Sequence, residues 1–247
     1  VYGLPHQTPE TINRSLDIIL EMRPDRVALY SFAYLPKRLG HQRRIDPSAL
    51  PSGPQKFEIF VTAFERFIEA GFTHIGMDHF ALPDDPLSVA RGDRTIQRNF
   101  MGYTTQAGTD ILAMGVSSIS ALEDLYAQST KRLTTHAESV ARGELPIERG
   151  TVLSDEDRLR RAVIYALMCH GHLDKGEIES RFGVDFDDHF APELSRLAPM
   201  VEDGLLTMQS DRIEVTLLGT IFVRNIGMVF DTYLSAPRTQ PTYSRTL

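Results

Sequence analysis

Apolar residues recur at helical spacing at Ile12, Leu16, Ile19 and Leu20, directly behind Thr8-Pro9-Glu10. A capping hydroxyl, a proline with helical φ and a carboxylate at the positive helix end together predict a helix start there. Beyond Arg23-Pro24-Asp25, residues 27–32 are almost uncharged and partly β-branched or aromatic, the composition of a buried parallel strand. The alternation then repeats. Pro54 opens a stripe of Ile59, Phe60, Ala63, Phe64, Phe67 and Ile68, Gly71 ends it, and residues 73–77 read as the next strand. Helix–strand units in series predict an α/β fold with a parallel sheet or partial barrel.

Two stretches without clear periodicity, 33–53 and 78–108, follow the carboxyl ends of these strands and read as long irregular loops. Ligands of parallel α/β folds sit at that edge, so both loops are candidate walls of a site. The apolar run 111–119 reads as a further strand and 122–142 as a helix. From Thr151 the order becomes helix, helix, helix, hairpin, helix. Ser154 ahead of Asp155, Glu156 and Asp157 starts the first helix and Gly171 stops it. Helices over 175–182 and 192–201, a hairpin across Gln209-Ser210-Asp211-Arg212 and a closing helix over 221–234 complete a winged-helix-like pattern. The polar, Pro-containing last dozen residues read as a tail. The expected division is 1–150, an α/β portion with substrate-facing loops, and 151–247, a mainly helical portion.

The chain has 247 residues with 42% hydrophobic and 24% charged positions, in the range of globular domains. Its 26 Lys and Arg stand against 33 Asp and Glu, so no global positive field draws in nucleic acid or anionic lipid. Residues 151–247 carry ten basic and fifteen acidic side chains, which argues against DNA binding by a winged helix. No apolar stretch approaches the roughly twenty residues of a membrane span. The single cysteine, Cys169, excludes an internal disulfide and a Cys-based metal centre built from this chain, and it fits a reducing, cytoplasmic setting. The opening Val1-Tyr2, an apolar pair running into Gly3-Leu4-Pro5, has the form of a strand entered part-way along.

Common nucleotide and nucleophile fingerprints are absent from the sequence. Cys169 and His170 are neighbours on a helix and point in different directions, so Cys169 reads as a buried structural thiol. Strand alternation sends His74 and Asp78 to one face and His79 to the other, which favours a hydrogen-bonded histidine at a pocket rim over a metal site. Positive charge gathers in Lys37, Arg38, His41, Arg43 and Arg44, and again in Arg91, Arg94 and Arg98. The second group is interleaved with Phe80, Phe100 and Tyr103. Guanidinium forks match carboxylates, so these residues suit a flat, apolar ligand with acidic arms.

Three strings carry a resemblance: Gly76-Met77-Asp78-His79-Phe80-Ala81, Arg98-Asn99-Phe100-Met101-Gly102-Tyr103-Thr104-Thr105, and Arg224-Asn225-Ile226-Gly227-Met228-Val229-Phe230-Asp231-Thr232-Tyr233-Leu234. With Tyr2-Gly3-Leu4-Pro5 and Gln7-Thr8-Pro9-Glu10, they resemble the oxygen-independent coproporphyrinogen III oxidases, radical S-adenosylmethionine (SAM) enzymes of haem synthesis. The related haem-chaperone branch, which would bind haem without turnover, carries an H-N-x-x-Y-W string where this chain has Arg98 to Tyr103.

The resemblance implies the later part of a partial (β/α) radical SAM barrel followed by a helical lid. It implies a 4Fe–4S cluster and two SAM molecules, which convert two propionates of coproporphyrinogen III to vinyl groups with loss of CO₂. An unidentified electron donor, a cytoplasmic location and a monomer go with it, and neither nucleic acid nor membrane is an expected partner. By position, Ala33 corresponds to a contact to the second SAM and Ile119 to an apolar contact to the first. Tyr30 is the aromatic residue on the strand before Ala33, Phe100 and Met101 lie in the site loop, and Arg91, Arg94 and Arg98 are the expected substrate contacts. Met101 stands where the family has Gln. The family's C-x-x-x-C-x-x-C cluster motif has no counterpart here and is expected in a preceding segment, so this chain alone supplies no metal ligands.

Overall fold

The side-chain oxygen of Thr8 accepts from the amide of Thr11 while Thr11 reaches back to the amide of Thr8, and helix α1 (Pro9–Met22) begins with this reciprocal cap. In the computed structural model, which describes residues 1–234, helix α2 (Gly53–Glu69) starts in the same way from Ser52 and Gln55. The two helices pack together, with Ile12 and Leu16 of α1 buried beside Ile59, Phe60, Ala63 and Phe67 of α2. Each such large side chain contributes roughly 1.5–3 kcal/mol by leaving water. Arg66 ties the pair at its rim, donating to Asp17 at 2.7 Å and to the Asn13 carbonyl at 3.1 Å.

Against these helices lies a sheet of β1 (Arg26–Ala28), β2 (Thr73–Gly76) and β3 (His79–Ala81) in the order β1-β3-β2. The periodicity predicts adjacent parallel strands, and here the structure differs. Gly76 and Met77, the latter at φ 49°, turn the chain back at once, so β3 inserts between β1 and β2 and pairs antiparallel with both. The strand expected over 27–32 is shortened to β1 followed by an isolated parallel bridge between Ser31 and Tyr2.

The expected loop 78–108 is mostly regular. It holds β3, helix α3 (Pro86–Gly92) and the antiparallel hairpin of β4 (Gln97–Asn99) and β5 (Gly102–Thr104). Loop 33–53 contains two short 3-10 turns, Gly40–Arg44 and Pro47–Ala49. The run 111–119 is not a strand, because Gly115 and Ser117 adopt left-handed conformations; Ile111 only bridges Ala121. The strand is β6 (Ile119–Ala121), which pairs with β7 (Leu125–Ser129), and β7 pairs with β8 (Ile147–Val152). The helix expected over 122–142 is therefore β7 followed by the shorter helix α4 (Leu133–Ala141).

Helix α5 (Asp155–Tyr165) starts from a Ser154 cap and runs into a π-helical turn, Ala166–His170, that Gly171 ends at φ 66°. There follow β9 (His172–Asp174), α6 (Lys175–Phe182), α7 (Phe186–His189) and α8 (Ala191–Glu202). Strands β10 (Leu206–Met208) and β11 (Arg212–Val215) form an antiparallel hairpin, and β9 pairs on the other edge of β11. The single closing helix expected over 221–234 is instead α9 (Leu217–Ile221), α10 (Val223–Met228) and a 3-10 turn at Thr232–Leu234, broken where Phe222 leaves helical geometry. A core of Leu159, Val163, Phe186, Phe190, Ile213 and Phe230 unites this half. A further cluster joins Ile75, Leu87, Ile96 and Tyr103 to Cys169 across the two halves. Residues 235–247, including the expected tail, lie outside the described residues.

Candidate functional site

The turn at Met77 places Asp78 and His79 side by side rather than on opposite faces, and His79 Nδ1 donates to Asp78 Oδ1 at 2.8 Å. Burial would raise the Asp78 carboxyl, but the His79 bond and charge and the Arg98 guanidinium outweigh it and hold the group below its usual range. His79 stands edge-on to Tyr30 at 6.1 Å and to Tyr103 at 5.3 Å between ring centroids. His74 is enclosed by Phe64 and Phe80 and donates from Nε2 to the Met77 carbonyl at 3.1 Å. Its burial depresses the imidazole to about 4, so it is neutral at pH 7. Among the described residues no group of three or more His, Cys, Asp or Glu side chains is arranged to hold a metal ion.

The expected substrate arginines separate. Arg98 lies over the Tyr103 ring at 5.0 Å, with its buried Nη1 lacking a hydrogen-bond partner. Arg91 turns toward the C-terminal half and donates to the Cys169 carbonyl at 3.1 Å. Arg94 is exposed in a left-handed conformation at φ 56°. Cys169 is buried, and burial pushes its thiol up to about 11 despite the nearby guanidinium groups of Arg98 and Arg91, so it is neither a thiolate nor a nucleophile.

Phe100 and Met101 form the tip of the β4–β5 hairpin, where the Met101 amide donates to Asn99 Oδ1 at 2.8 Å. Met101 is 86% exposed, whereas Phe100 turns its ring edge-on to Tyr126 of β7 at 5.3 Å. The register pairs Ile119 with Gln128, Gln128 with Arg149, and Tyr126 with Thr151, so these side chains share one face of the β6-β7-β8 sheet. With Phe100 they line an open cleft of about 290 Å³. The hairpin tip and Ile119, singled out separately in the sequence, thus meet in one place.

Tyr30 and Ala33 lie elsewhere, at the end of β1. Buried Gln42 holds that segment, donating to the Ala33 carbonyl at 2.9 Å and accepting from the Leu35 amide at 2.5 Å. The sequence reading missed Gln42, Tyr126, Gln128 and Arg149. Gln42 sits in a loop without periodicity, and the others belong to strands whose pairing register only the folded chain reveals. Thr151-Val152, β-branched beside Gly150, is the one local strand signal near Arg149.

Residues 153–222 match the family model described as the HemN C-terminal domain. The chain is 44% identical over 237 residues to the oxygen-independent coproporphyrinogen III oxidase of Pseudomonas aeruginosa, covering 95% of this chain and 51% of that protein. It is 42% identical over 247 residues to the Escherichia coli protein of the same name, covering 100% and 54%. The Thermostichus vulcanus protein is 45% identical over 235 residues, covering 95% and 72%. A solved structure, reported as coproporphyrinogen III oxidase (HemN) from Escherichia coli and a radical SAM enzyme, superposes with a TM-score of 0.91 at 43% identity, covering 94% of this chain and 54% of that one. The chain thus spans about half the length of the Pseudomonas and Escherichia relatives and nearly three quarters of the Thermostichus one. With 45% identity maintained over 72% of a whole relative and the fold shared at 0.91, this chain belongs to the oxygen-independent coproporphyrinogen III oxidase family.

Proposed function

We propose that this chain acts, within a longer polypeptide, in the oxygen-independent oxidative decarboxylation of coproporphyrinogen III to protoporphyrinogen IX. Residues 1–150 would form the later part of a radical SAM barrel with its substrate-facing loops, and 151–247 a winged-helix-like lid. In this reading the protein is a cytoplasmic monomer served by a separate electron donor. The observation that carries it is the cleft itself: Phe100 and Ile119, the two positions the family resemblance singles out there, line one sheet face together.

The residues divide the cofactors. A 4Fe–4S cluster does not fit here, because one buried cysteine cannot supply the several thiolates a cluster takes; its ligands would belong to a preceding segment. SAM does fit in part. Ile119 offers an apolar contact at one edge of the cleft, and Ala33 lies on a segment already fixed by Gln42, so one SAM would contact Ile119 and the other Ala33. When bound, SAM and the cluster supply the hydrogen-abstracting radical chemistry.

The remaining work falls to this chain's side chains. Each propionate loses one hydrogen atom, CO₂ and one electron, and no proton has to be moved. Orientation and exclusion of water are therefore the protein's contribution. Phe100 closes one side of the cleft and Tyr126 forms its wall. Neutral His74 and protonated Cys169 add no charge of their own to the core that holds Asp78, Arg91 and Arg98.

The test is anaerobic turnover by the polypeptide that carries the cluster motif ahead of this sequence. Vinyl product and CO₂ that require SAM and a reductant support the proposal. Stoichiometric haem binding with no SAM consumption overturns it in favour of a chaperone.

A further inference from the structure

We infer that Arg149 anchors a carboxylate of the tetrapyrrole substrate on the open face of the β6-β7-β8 sheet; the inference rests on the function proposed above and adds a residue to it. Arg149 Nε donates to Gln128 Oε1 at 2.7 Å, and Gln128 Nε2 in turn donates to the Ser117 carbonyl at 2.9 Å. The guanidinium is thereby oriented through one nitrogen. Its two Nη groups have no hydrogen-bond or ion-pair partner among the described residues, although the chain is rich in carboxylates.

The nearby arginines are committed differently. Arg91 turns to the Cys169 carbonyl, and Arg98 lies over the Tyr103 ring with its buried Nη1 unpaired. Arg161 donates to the Glu123 carbonyl at 2.8 Å and to the Tyr126 hydroxyl at 3.4 Å. Of these four only Arg149 lines the cleft, its two Nη groups open beside Phe100, Tyr126 and Ile119. A planar fork held at one corner matches a carboxylate in bidentate geometry with little further loss of freedom.

The spacing suits a wide, flat ligand. Ile119, Gln128 and Arg149 occupy one rung of the sheet, and strands lie about 4.8 Å apart, so Arg149 stands about 10 Å from Ile119 along the rung. A macrocycle with acidic arms around its rim can bring one arm near Ile119 while another meets Arg149. Its apolar ring then faces Phe100 and Tyr126. Gln128 acts through Arg149 and is a positioning residue.

The experiment uses the full-length holoenzyme and compares coproporphyrin III, a stable oxidised analogue, with its tetramethyl ester, read by fluorescence quenching. A charge-assisted hydrogen-bonded pair corresponds to a loss of about ten- to a hundredfold in affinity. Arg149→Gln should show that loss for the tetra-acid and none for the ester, Arg149→Lys an intermediate loss, and Gln128→Ala a smaller one. In turnover, KM should rise while kcat is retained. SAM binding, measured by equilibrium dialysis, should be unchanged. Equal tetra-acid affinity in parent and Arg149→Gln overturns the inference and leaves the proposed function intact. A selective loss of SAM binding also overturns it, by assigning the fork to the methionyl carboxylate. A parent enzyme that binds neither porphyrin overturns the proposed function and this inference together.

Discussion

The hydroxyl of Tyr103 donates to the carbonyl of Met168 at 3.0 Å, linking the β4–β5 hairpin to the π-helical turn of the C-terminal half. The ring is fixed on both sides, edge-on to His79 and beneath Arg98, and Gly76 leaves the hydroxyl its space: a Cβ there would stand 2.3 Å from it. Burial raises the phenol's ionisation further above its ordinary range, so it remains a donor throughout the physiological range.

Tyr103→Phe keeps these ring contacts and removes only the hydroxyl. The Met168 carbonyl then loses its partner in a largely dry contact, which costs about 1–3 kcal/mol. Urea unfolding should show this loss with an unchanged m-value. A change within about 0.5 kcal/mol would mean that the two halves are held by packing alone.

Met101 offers a change of chemistry without a change of packing. It is 86% exposed and its backbone is held by Asn99, so Met101→Gln should alter stability by no more than about 0.5 kcal/mol. The amide restores a donor and an acceptor at the hairpin tip, and turnover of the full enzyme should rise severalfold. Equal rates in variant and parent would show that this position contributes nothing to the reaction.

His74 makes stability depend on pH in a defined direction. Its imidazole is depressed from 6.5 to about 4 in the folded protein, so between these values the unfolded chain binds a proton that the folded chain does not. The contribution is present above pH 6.5 and is lost as pH falls through that window, by up to about 3 kcal/mol at the acid end. Denaturant midpoints at pH 7.5 and pH 5 should differ in the parent and converge in His74→Leu. Identical pH slopes would assign the dependence to other groups.

How far these contacts could be read from the sequence depended on their range along the chain. Helices α1 and α2 were legible because Thr8, Ser52 and the apolar stripes act within a few residues, and the β10–β11 hairpin because its strands are joined by a short polar turn. Strand β7 was read as helix because its partners lie on separate segments, β6 and β8, and no local pattern records that pairing. Strands β3, β4 and β5 have three residues each, too few for an alternation to show. The site followed the same division. Phe100 stood out through a family string and Ile119 through its position in the family, whereas Arg149 gains its place only from a register between residues 21 apart.

Arg160 tests the core of the C-terminal half. It is nearly buried over the Phe190 ring and donates to Glu156 at 2.5 Å, to Glu193 at 2.9 Å and to the Phe230 carbonyl at 3.1 Å. Glu193 is itself buried, so Glu193→Ala leaves a buried guanidinium short of its counter-charge and should cost about 3 kcal/mol. Pairing it with Arg160→Met should recover part of that loss. Simple additivity of the two changes in thermal unfolding would contradict a coupled pair.

In the proposed function this chain serves a radical decarboxylation at the cleft of Phe100 and Ile119. The most direct test counts products in one anaerobic reaction of the full-length enzyme with coproporphyrinogen III. One 5′-deoxyadenosine formed for each CO₂ released and each vinyl group made is the predicted result. Porphyrinogen or haem bound with no 5′-deoxyadenosine formed would contradict it.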